Sequence, residues 1–342
     1  MDLCLFRLHF SGPVRFGVTG IGLEETDLTL AADGLTSAFL NALSEALGAA
    51  AVAAFLSECQ ANRPPAIFSN LFPFGPAPEN PSKSIEVLPR PLCAPPCTEE
   101  ALRLFGKELK KLAWLRPHDT AAWLQTDPLP QDTLTKLVTA SQGLVQQKEN
   151  MDDNGWYKEE LRPRVALDRQ DQGSSLWACA AVRFASRAGL YGLVRLREDF
   201  RPAWLQAMRL LGDMGLGGER TYGYGEFQLE GPFPLGADWE PMLKLPAGRY
   251  LLLSTYFPST SERENLARAL EAWDIEERRG YVVSGRHTTT LKRKRVRFLK
   301  AGSIFQQPLQ GALADVTPEE HLALGLTHRV YRAGFALTLP LY

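Results

Sequence analysis

Residues 212–227 read GDMGLGGERTYGYGEF and contain six glycines in sixteen positions. A glycine inside a helix or strand costs roughly 0.5–1 kcal/mol relative to alanine, so this density predicts a loop that needs positive φ angles or a close backbone approach. Before it, Trp204, Met208 and Leu211 have helical spacing within a predicted helix over 202–214, and residues 223–229 favour a strand. The stretch is therefore predicted to connect a helix to a strand.

Glycine spacing and element order exclude two nucleotide-binding motifs for this loop. A Walker A loop needs Lys and then Ser or Thr after its last glycine, and none stands here. A dinucleotide fingerprint would put a glycine where Arg220 stands, and it connects a strand to a helix. Three interpretations remain, namely a structural turn, an anion-binding nest of backbone N–H groups, and a flexible loop over a small-molecule site. Arg220, Tyr222 and Tyr224 favour the nest, because arginine binds phosphate and tyrosine rings stack on unpaired bases.

Overall composition is that of an ordinary globular protein. The 342 residues are 45% hydrophobic and 23% charged, with a net charge of −1, which predicts two domains and limits nucleic-acid binding to local patches. The chain has no apolar run of membrane-spanning length, and its first residues do not form a signal-peptide pattern, so we expect no membrane contact and a cytoplasmic location. Five cysteines without a paired framework predict reduced thiols, and we expect neither a metal site nor a cofactor.

Strands alternate with few helices along the chain, which predicts an α+β fold of two ferredoxin-like (RRM-like) domains with antiparallel sheets. Glycine and proline near residues 231–236 predict a boundary between an N-terminal domain with insertions, 1–230, and a C-terminal domain, 231–342. The N-terminal elements are predicted as a strand at Leu3–Phe10, a long helix capped by Asp33 and Thr36 that ends near Cys59, an ordered loop or irregular hairpin at Phe68–Cys97, a helix at Glu99–Leu112, a polar mobile segment at Gln131–Asn154, and strands at Ser174–Ala185 and Leu190–Arg197. The C-terminal ones are predicted as a strand at Arg249–Phe257, a helix from Thr260 to about Trp273, and strands at Tyr281–Val283, Lys292–Leu299 and Val330–Leu341.

A second basic segment lies at residues 286–300, RHTTTLKRKRVRFLK. In an extended strand its cations would point to both faces, so it is predicted not to face a core. It is either a solvated edge strand or a phosphate-facing hairpin, and the frequent choice of arginine favours phosphate. A third cluster, Arg162, Arg164 and Arg169, is more typical of a surface ion-pair network, and Arg15 lies in the turn after the first strand.

No spacing of acids, cysteines or histidines in the sequence predicts a catalytic constellation. His9 and His287 could each act as a base in metal-free RNA cleavage. His9 lies in an apolar strand, where a histidine bonded within a core or interface is the more common finding.

Several segments, in the right order, resemble one family. These are FRLHFSGPVRFG near the start, Ala32-Asp33-Gly34-Leu35 as a partial match to a Ser-Asp-Thr-Leu helix start, Ser69-Asn70-Leu71-Phe72-Pro73, Leu88-Pro89-Arg90-Pro91, Glu108–Leu112, Arg164–Arg169 followed by Gly189-Leu190-Tyr191, the glycine loop from Gly215 to Gly225, Arg279-Gly280-Tyr281, Gly302–Phe305, and His328–Gly334. With these segments, which span essentially the whole chain, the sequence resembles the RAMP-superfamily subunit four of the type III-A (Csm) CRISPR effector complexes. The glycine loop is shared by many RAMP proteins, whereas the ordered set is more specific.

The resemblance implies a function in keeping with the residues themselves. Members of the family have two RRM-like domains, grip the repeat-derived 5′ handle of CRISPR RNA (crRNA), and contact the large cyclase/polymerase subunit and the first backbone RAMP subunit, so that target RNA is met only indirectly. They are not credited with nuclease or cyclase activity. The alternatives are a metal-independent crRNA-processing endoribonuclease of the same fold and a pure protein–protein adaptor. The candidate RNA-binding residues are Gly215, Gly217, Gly218, Arg220, Thr221, Tyr222, Gly223, Tyr224, Arg15, Arg162, Arg164, Arg169, Arg286, Lys292, Arg293, Lys294, Arg295 and Arg297.

Overall fold

The computed structural model describes residues 1–17, 22–147, 155–167, 173–246, 248–282, 291–319 and 328–340. In the N-terminal part the helices are α1 (Ala32–Leu47), α2 (Ala49–Gln60), α3 (Glu99–Lys111), α4 (Pro117–Leu124), α5 (Gln131–Ser141) and α6 (Arg201–Met214). The strands there are β1 (Asp2–Phe10), β2 (Phe16–Gly17), β3 (Thr26–Asp27), β4 (Ala66–Phe68), β5 (Phe72–Ala77), β6 (Asn80–Glu86), β7 (Leu88–Pro89), β8 (Trp114–Leu115), β9 (Tyr157–Leu167), β10 (Ser174–Phe184), β11 (Gly189–Leu196) and β12 (Phe227–Pro234).

The central sheet has the strand order β12-β1-β11-β5-β6, with β4 also paired to β11, and its pairings are antiparallel. The mixed α/β fold with antiparallel sheets is thus confirmed. The expected irregular hairpin within residues 68–97 is β5–β6, whose register shifts between Pro76 and Ala77. The strand predicted from Gly223 begins later, at Phe227, because the glycine turn extends to Gly225.

The long helix predicted over residues 33–59 is wrong in two respects. It breaks into α1 and α2 at Gly48, whose φ of 84° interrupts the helical backbone. Asp33 does not cap it, because the N–H of Ala32 donates instead to Oδ1 of Asn70 at 2.8 Å and the Asp33 side chain is buried in an ion pair. The capping amide comes from a residue distant in sequence, so local spacing does not reveal it.

Residues 88–141 form an insertion that packs on one face of the central sheet. Thr98 caps α3 by accepting a hydrogen bond from the N–H of Ala101 at 3.2 Å. The prediction of a polar mobile segment from Gln131 is wrong for α5, which buries Leu134, Leu137 and Val138; residues 148–154 lie outside the described part. Three apolar positions at helical spacing suffice to attach α5 to a core, although the rest of its surface is polar.

The C-terminal part contains short elements. Its helices are α7 (Glu240–Leu243), α8 (Thr260–Arg263) and α9 (Leu266–Ala269), and its strands are β13 (Tyr250–Leu252), β14 (Leu270–Ala272), β15 (Ile275–Arg278), β16 (Tyr281–Val282), β17 (Leu291–Lys292), β18 (Val296–Leu299), β19 (Ile304–Phe305), β20 (Gly311–Asp315), β21 (Tyr331–Phe335) and β22 (Thr338–Leu339). The main sheet there has the order β14-β19-β13-β22.

For several C-terminal elements the predicted type and position agree with the structure, but the predicted length does not. The helix predicted over residues 260–273 is two short helices followed by β14, and its N-cap is Ser259 in a capping box with Glu262. The strand over 249–257 is confined to β13, and the strand over 330–341 is divided into β21 and β22. Non-local pairing decides these ends, which local propensity does not register.

The two faces of the central sheet carry two hydrophobic cores. One core joins Phe6 and Leu8 of β1 to α1 and α6, and the other joins Leu5 of β1 to the insertion and to Leu251 and Leu337 of the C-terminal part. The second core therefore spans the predicted boundary after residue 230, which itself lies within β12 and stays a prediction.

Strands β9 and β10 form a two-stranded ribbon with chemically different faces. The register pairs Arg164 with Trp177 and Val165 with Leu176, so the two pairs lie on opposite faces. One face carries the side chains of Arg162 and Arg164, whereas Val165 and Leu176 on the other face are exposed.

Candidate nucleic-acid interface

The glycine loop starts where α6 ends and is closed by its own backbone. Gly215, Gly217, Gly223 and Gly225 have φ angles between 78° and 97°. The N–H of Leu216 donates to the carbonyl of Gly225 at 2.8 Å, which pins the two ends of the loop together. The helix-to-strand order predicted for this stretch is confirmed.

At three of these glycines the surrounding backbone leaves no room for a side chain. A Cβ atom at Gly215 would lie 2.6 Å from the carbonyl oxygen of Tyr224, one at Gly217 would lie 2.4 Å from that of Arg15, and one at Gly225 would lie 2.0 Å from that of Leu216. These distances confirm the structural-turn interpretation at the three positions. Gly218 differs, because a Cβ there would meet Arg15 atoms only at 3.5 Å and beyond.

The anion nest has fewer available donors than the sequence suggests. The N–H of Gly218 donates to the carbonyl of Arg15 at 2.9 Å, and the N–H of Gly225 donates to that of Pro13 at 2.9 Å. Gly218 can therefore offer a close approach to its bare backbone, but its N–H is already used within the chain.

The outward part of the loop is the turn at residues 219–223. Glu219 has a left-handed backbone with a φ of 60°, and Arg220 to Tyr222 form one turn of 3₁₀ helix. Arg220, Thr221, Tyr222 and Gly223 are exposed. Arg220 is exposed and forms no ion pair with any residue in the described part of the chain.

The basic face of the ribbon packs against this turn. The Arg164 guanidinium lies 4.0 Å from the ring centroid of Tyr222 and makes a 3.1 Å ion pair with Glu219. The Tyr222 side chain remains well exposed, at 66%, whereas Tyr224 is only 4% exposed. Of the two tyrosines predicted to stack on a base, only Tyr222 presents a ring to solvent, and Tyr224 is a packing residue beneath Arg162 and Arg164.

Arg162 takes part in an ion-pair network, as the sequence predicted for the cluster of Arg162, Arg164 and Arg169. Glu160 receives hydrogen bonds from Arg162 at 2.7 Å and Arg183 at 3.0 Å, and Lys158 lies 3.0 Å away. Burial alone would raise the pKa of Glu160, but these three cations together lower it from its ordinary 4.5 to about 2. Arg169, the third member of the cluster, lies outside the described residues.

Arg15 contributes to the site through the backbone. Its side chain is buried and Nη2 donates to the carbonyls of Gly22 at 3.1 Å and Glu25 at 3.4 Å. Its own carbonyl accepts the Gly218 N–H. This burial argues against Arg15 as a direct phosphate contact and assigns it to the support of the loop.

The second basic segment is not one continuous strand. β17 and β18 are separated by residues 293–295, and β18 buries Val296 and Phe298 while Arg297 is exposed, so the prediction that this segment cannot face a core is wrong there. Arg293 is partly buried, and burial together with the nearby Arg332 lowers its pKa. Lys292, Lys294, Arg295 and Arg297 are exposed, with the last lying 3.8 Å from Glu277. Arg286 and His287 lie outside the described residues.

A charged groove of about 380 Å³ runs from β2 to the C-terminal part, and sequence reasoning missed it. We call it the arginine groove; it is lined by Phe16, Gly17, the N-terminus of α1, Asp27, Glu276, Arg278, Arg279 and Arg332. Asp33, 1% exposed, is hydrogen-bonded to Arg332 and lies 3.6 Å from Nε of Arg278. Asp33, Arg279 and Arg332 each lie in a segment that carries the family resemblance, and this was the only hint of the groove in the sequence. The spacing of these segments does not indicate that the three residues lie close together.

Phe16 connects the groove to the loop, since it lines the groove and lies 3.2 Å from a Cβ placed at Gly217. The glycine turn, the basic ribbon face and the groove therefore adjoin one another.

His9 is bonded within the sheet surface. Its Nε2 lies 2.7 Å from Oε2 of Glu230, and its ring packs edge-on against Phe74 at 5.1 Å. Glu230 also lies 3.5 Å from Nη1 of Arg7. This is the bonded interface histidine that the sequence favoured. Among the described residues, no group of three or more His, Cys, Asp or Glu side chains is placed to hold a metal ion.

Three comparisons each find similarity between this chain and Csm4 proteins. The family model for the CRISPR Csm4 C-terminal domain matches residues 246–341. The "CRISPR system Cms protein Csm4" of Thermococcus onnurineus (strain NA1) is 33% identical over 181 residues, which is 52% of each chain. The protein of the same name from Mycobacterium tuberculosis (strain CDC 1551 / Oshkosh) is 31% identical over 182 residues, 52% of this chain and 55% of the relative. Each alignment thus spans about half the length of the curated relative.

Solved structures match nearly the whole chain at low identity and show a shared fold. The crystal structure of a Csm1–Csm4 cassette in complex with pppApA matches 99% of this chain and 98% of that chain, with 21% identity and a TM-score of 0.57. The crystal structure of a Csm3–Csm4 subcomplex of the type III-A interference complex matches 100% of both chains, with 15% identity and a TM-score of 0.58.

The chain therefore shares the fold of the Csm4 chains in these two crystal structures. Its residues 246–341 match the Csm4 C-terminal-domain model, and about half of the chain is similar to curated Csm4 proteins of CRISPR systems. No helix in the described ranges is long and apolar enough to cross a membrane.

Proposed function

We propose that this chain is a non-catalytic subunit that grips the repeat-derived 5′ handle of crRNA. Arg220 contacts a handle phosphate, Tyr222 stacks on an unpaired base, and the bare backbone at Gly218 allows the RNA to approach closely. The exposed cations of residues 292–297 and the arginine groove add contacts to the RNA backbone. Target RNA is reached only through the assembled complex.

One observation carries this proposal: a single exposed turn presents an arginine that has no ion pair among the described residues, beside a tyrosine ring already held by a second arginine. Phosphate recognition uses such a guanidinium, and single-stranded RNA recognition uses exposed aromatic rings. Because Arg164 is held by Glu219, it fixes the Tyr222 ring in place before RNA binds.

We further propose that the chain bridges a Csm1-type cyclase/polymerase subunit and a Csm3-type backbone subunit. Proteins of the same fold have been crystallised in a Csm1–Csm4 cassette and in a Csm3–Csm4 subcomplex. We also assign each half to a ferredoxin-like domain. In the N-terminal half, β1, α1, β5, β11, α6 and β12 supply the βαββαβ order of elements, and the sheet places the last strand beside the first.

The test measures binding of fluorescently labelled handle RNA over a range of salt concentrations. Arg220→Ala should reduce the salt dependence by roughly one phosphate contact. Tyr222→Ala should lose about 1–3 kcal/mol of binding free energy at any salt, whereas Tyr222→Phe should retain it. Arg209→Ala, which removes the same charge from the exposed side of α6, is the control.

Unchanged affinity and salt slope in Arg220→Ala would contradict the site. Failure of the unaltered chain to bind handle RNA even at low salt would contradict RNA binding itself and favour the adaptor. Incubation with precursor RNA in EDTA addresses the processing enzyme: cleavage that is lost in His9→Ala would overturn the non-catalytic assignment.

A further inference from the structure

We propose that the groove beside α3 binds a helical segment of a partner protein that is apolar on one face and acidic along its edges. The groove has a volume of about 490 Å³ and lies between α3 and residues 90–95. It belongs to the insertion, which packs on the opposite face of the central sheet from α6 and the glycine loop.

The lining of the groove is aliphatic and open at its centre. It contains Leu92, Pro95 and Leu102, and Leu102 exposes 42% of its surface. One turn away on α3, a Cβ at Gly106 would meet nothing within 4 Å. A helix backbone can approach most closely where the facing residue lacks a side chain, so Gly106 marks the point of closest contact.

The charged residues that line the groove all have the same sign. Arg103, Lys107 and Lys110 project from α3, and Arg90 is turned toward the carbonyls of Leu112 and Pro91. Among the described residues no acidic side chain lines the groove; Glu99, outside the lining, lies 3.9 Å from Arg103. In a chain with a net charge of −1, this uniformly basic rim is complementary to an acidic partner.

The lining favours a protein helix over RNA. Single-stranded nucleic acid is typically bound through exposed aromatic rings. Trp123, the one aromatic side chain among the described residues that line this groove, is 1% exposed, and its indole N–H donates to the carbonyl of Cys93 at 3.0 Å. An aliphatic floor with charged edges is the surface on which amphipathic helices dock, and α3 offers a length of about 20 Å for such a contact.

The experiment uses the whole effector complex, purified with this subunit carrying the photo-crosslinker p-benzoylphenylalanine in place of Leu102. Irradiation followed by mass spectrometry should identify a peptide of another protein chain. Its sequence should have apolar residues at i, i+3 or i+4 and i+7, with Asp or Glu at the flanking positions. Crosslinks to RNA, to this chain alone, to a peptide without acidic residues, or to nothing would each overturn the proposal.

Charge reversal tests the rim in the same preparation. Lys107→Glu combined with Arg103→Glu should lower the yield of the crosslinked peptide by about tenfold, which corresponds to about 1.4 kcal/mol. The single variant Lys107→Glu has Lys111→Glu as its matched control, because Lys111 is exposed on the same helix but does not line the groove. An equal loss of crosslinked peptide in the control variant would refute a specific role for the basic residues at the edge of the groove. Retention of handle RNA should be unchanged in both variants, which separates this proposal from the failure of the RNA-binding one.

Discussion

Alanine should destabilise the fold at Gly217 but not at the adjacent Gly218, because only at Gly217 does the surrounding backbone exclude a side chain. At Gly217 the φ of 97° costs an L-residue roughly 1–2 kcal/mol. The added Cβ would lie 2.4 Å from the Arg15 carbonyl oxygen. Relief of that contact moves the backbone apart and breaks the 2.9 Å bond from the Gly218 N–H to the same oxygen, a net loss of about 0.5–1.5 kcal/mol.

The summed loss for Gly217→Ala is about 1.5–3.5 kcal/mol, or roughly ten- to a few hundredfold in the equilibrium for opening of the loop. At Gly218 the nearest atoms are 3.5 Å from the added Cβ, an ordinary contact. Gly218→Ala should therefore leave stability unchanged or raise it by up to about 1 kcal/mol, since alanine restricts the unfolded chain.

Hydrogen exchange of the loop amides measures the local opening, and urea unfolding followed by tryptophan fluorescence measures the global effect. Gly217→Ala should exchange faster at residues 216–225, and Gly218→Ala should not. RNA binding should respond differently from folding. Gly218→Ala should fold normally but bind the handle RNA more weakly, because its methyl group lies where the backbone contacts the RNA. Equal exchange in the two variants would refute the role of the Arg15 contact. Unaltered RNA affinity in Gly218→Ala would refute backbone approach at that position.

Two further expectations concern buried charge. Arg332→Met should lower the free energy of unfolding in urea by about 3–5 kcal/mol, because it leaves the buried Asp33 carboxylate poorly compensated. The double variant Asp33→Leu/Arg332→Met should recover much of that lost stability. A double variant as unstable as the single one would contradict the ion-pair explanation. The pKa of Glu160 is lowered from 4.5 to about 2, so its contribution is present above pH 4.5 and lost as pH falls toward 2. The unfolding free energy of the unaltered chain should therefore exceed that of Glu160→Gln at neutral pH, and the difference should shrink over that interval; a difference independent of pH would exclude this linkage.

Residues that act through local backbone chemistry were predictable from the sequence. The glycine density identified a turn between a helix and a strand, and α6 and the first strand followed from apolar spacing. The ion-pair character of Arg162 and Arg164 was also anticipated, although their partners Glu160 and Glu219 were not. In each case the determining interaction lies within the segment or at its surface.

Residues whose role depends on distant contacts were predicted less well. Tyr222 and Tyr224 are indistinguishable in sequence, yet the ribbon β9–β10 covers one ring and leaves the other exposed. Arg15 looked like a phosphate ligand, but the segment at residues 22–25 encloses its guanidinium.

The sequence by itself determined that the chain has a glycine-rich turn with a cation and aromatic rings, and that its order of motifs resembles that of one CRISPR family. The tertiary structure decided which of those side chains face solvent, because burial depends on elements that are far apart in the chain. It alone joined Asp33 to Arg332, 299 residues later, and produced the arginine groove beside the turn. Local periodicity cannot reveal such a pairing, since it reports which face a residue occupies and not what covers that face.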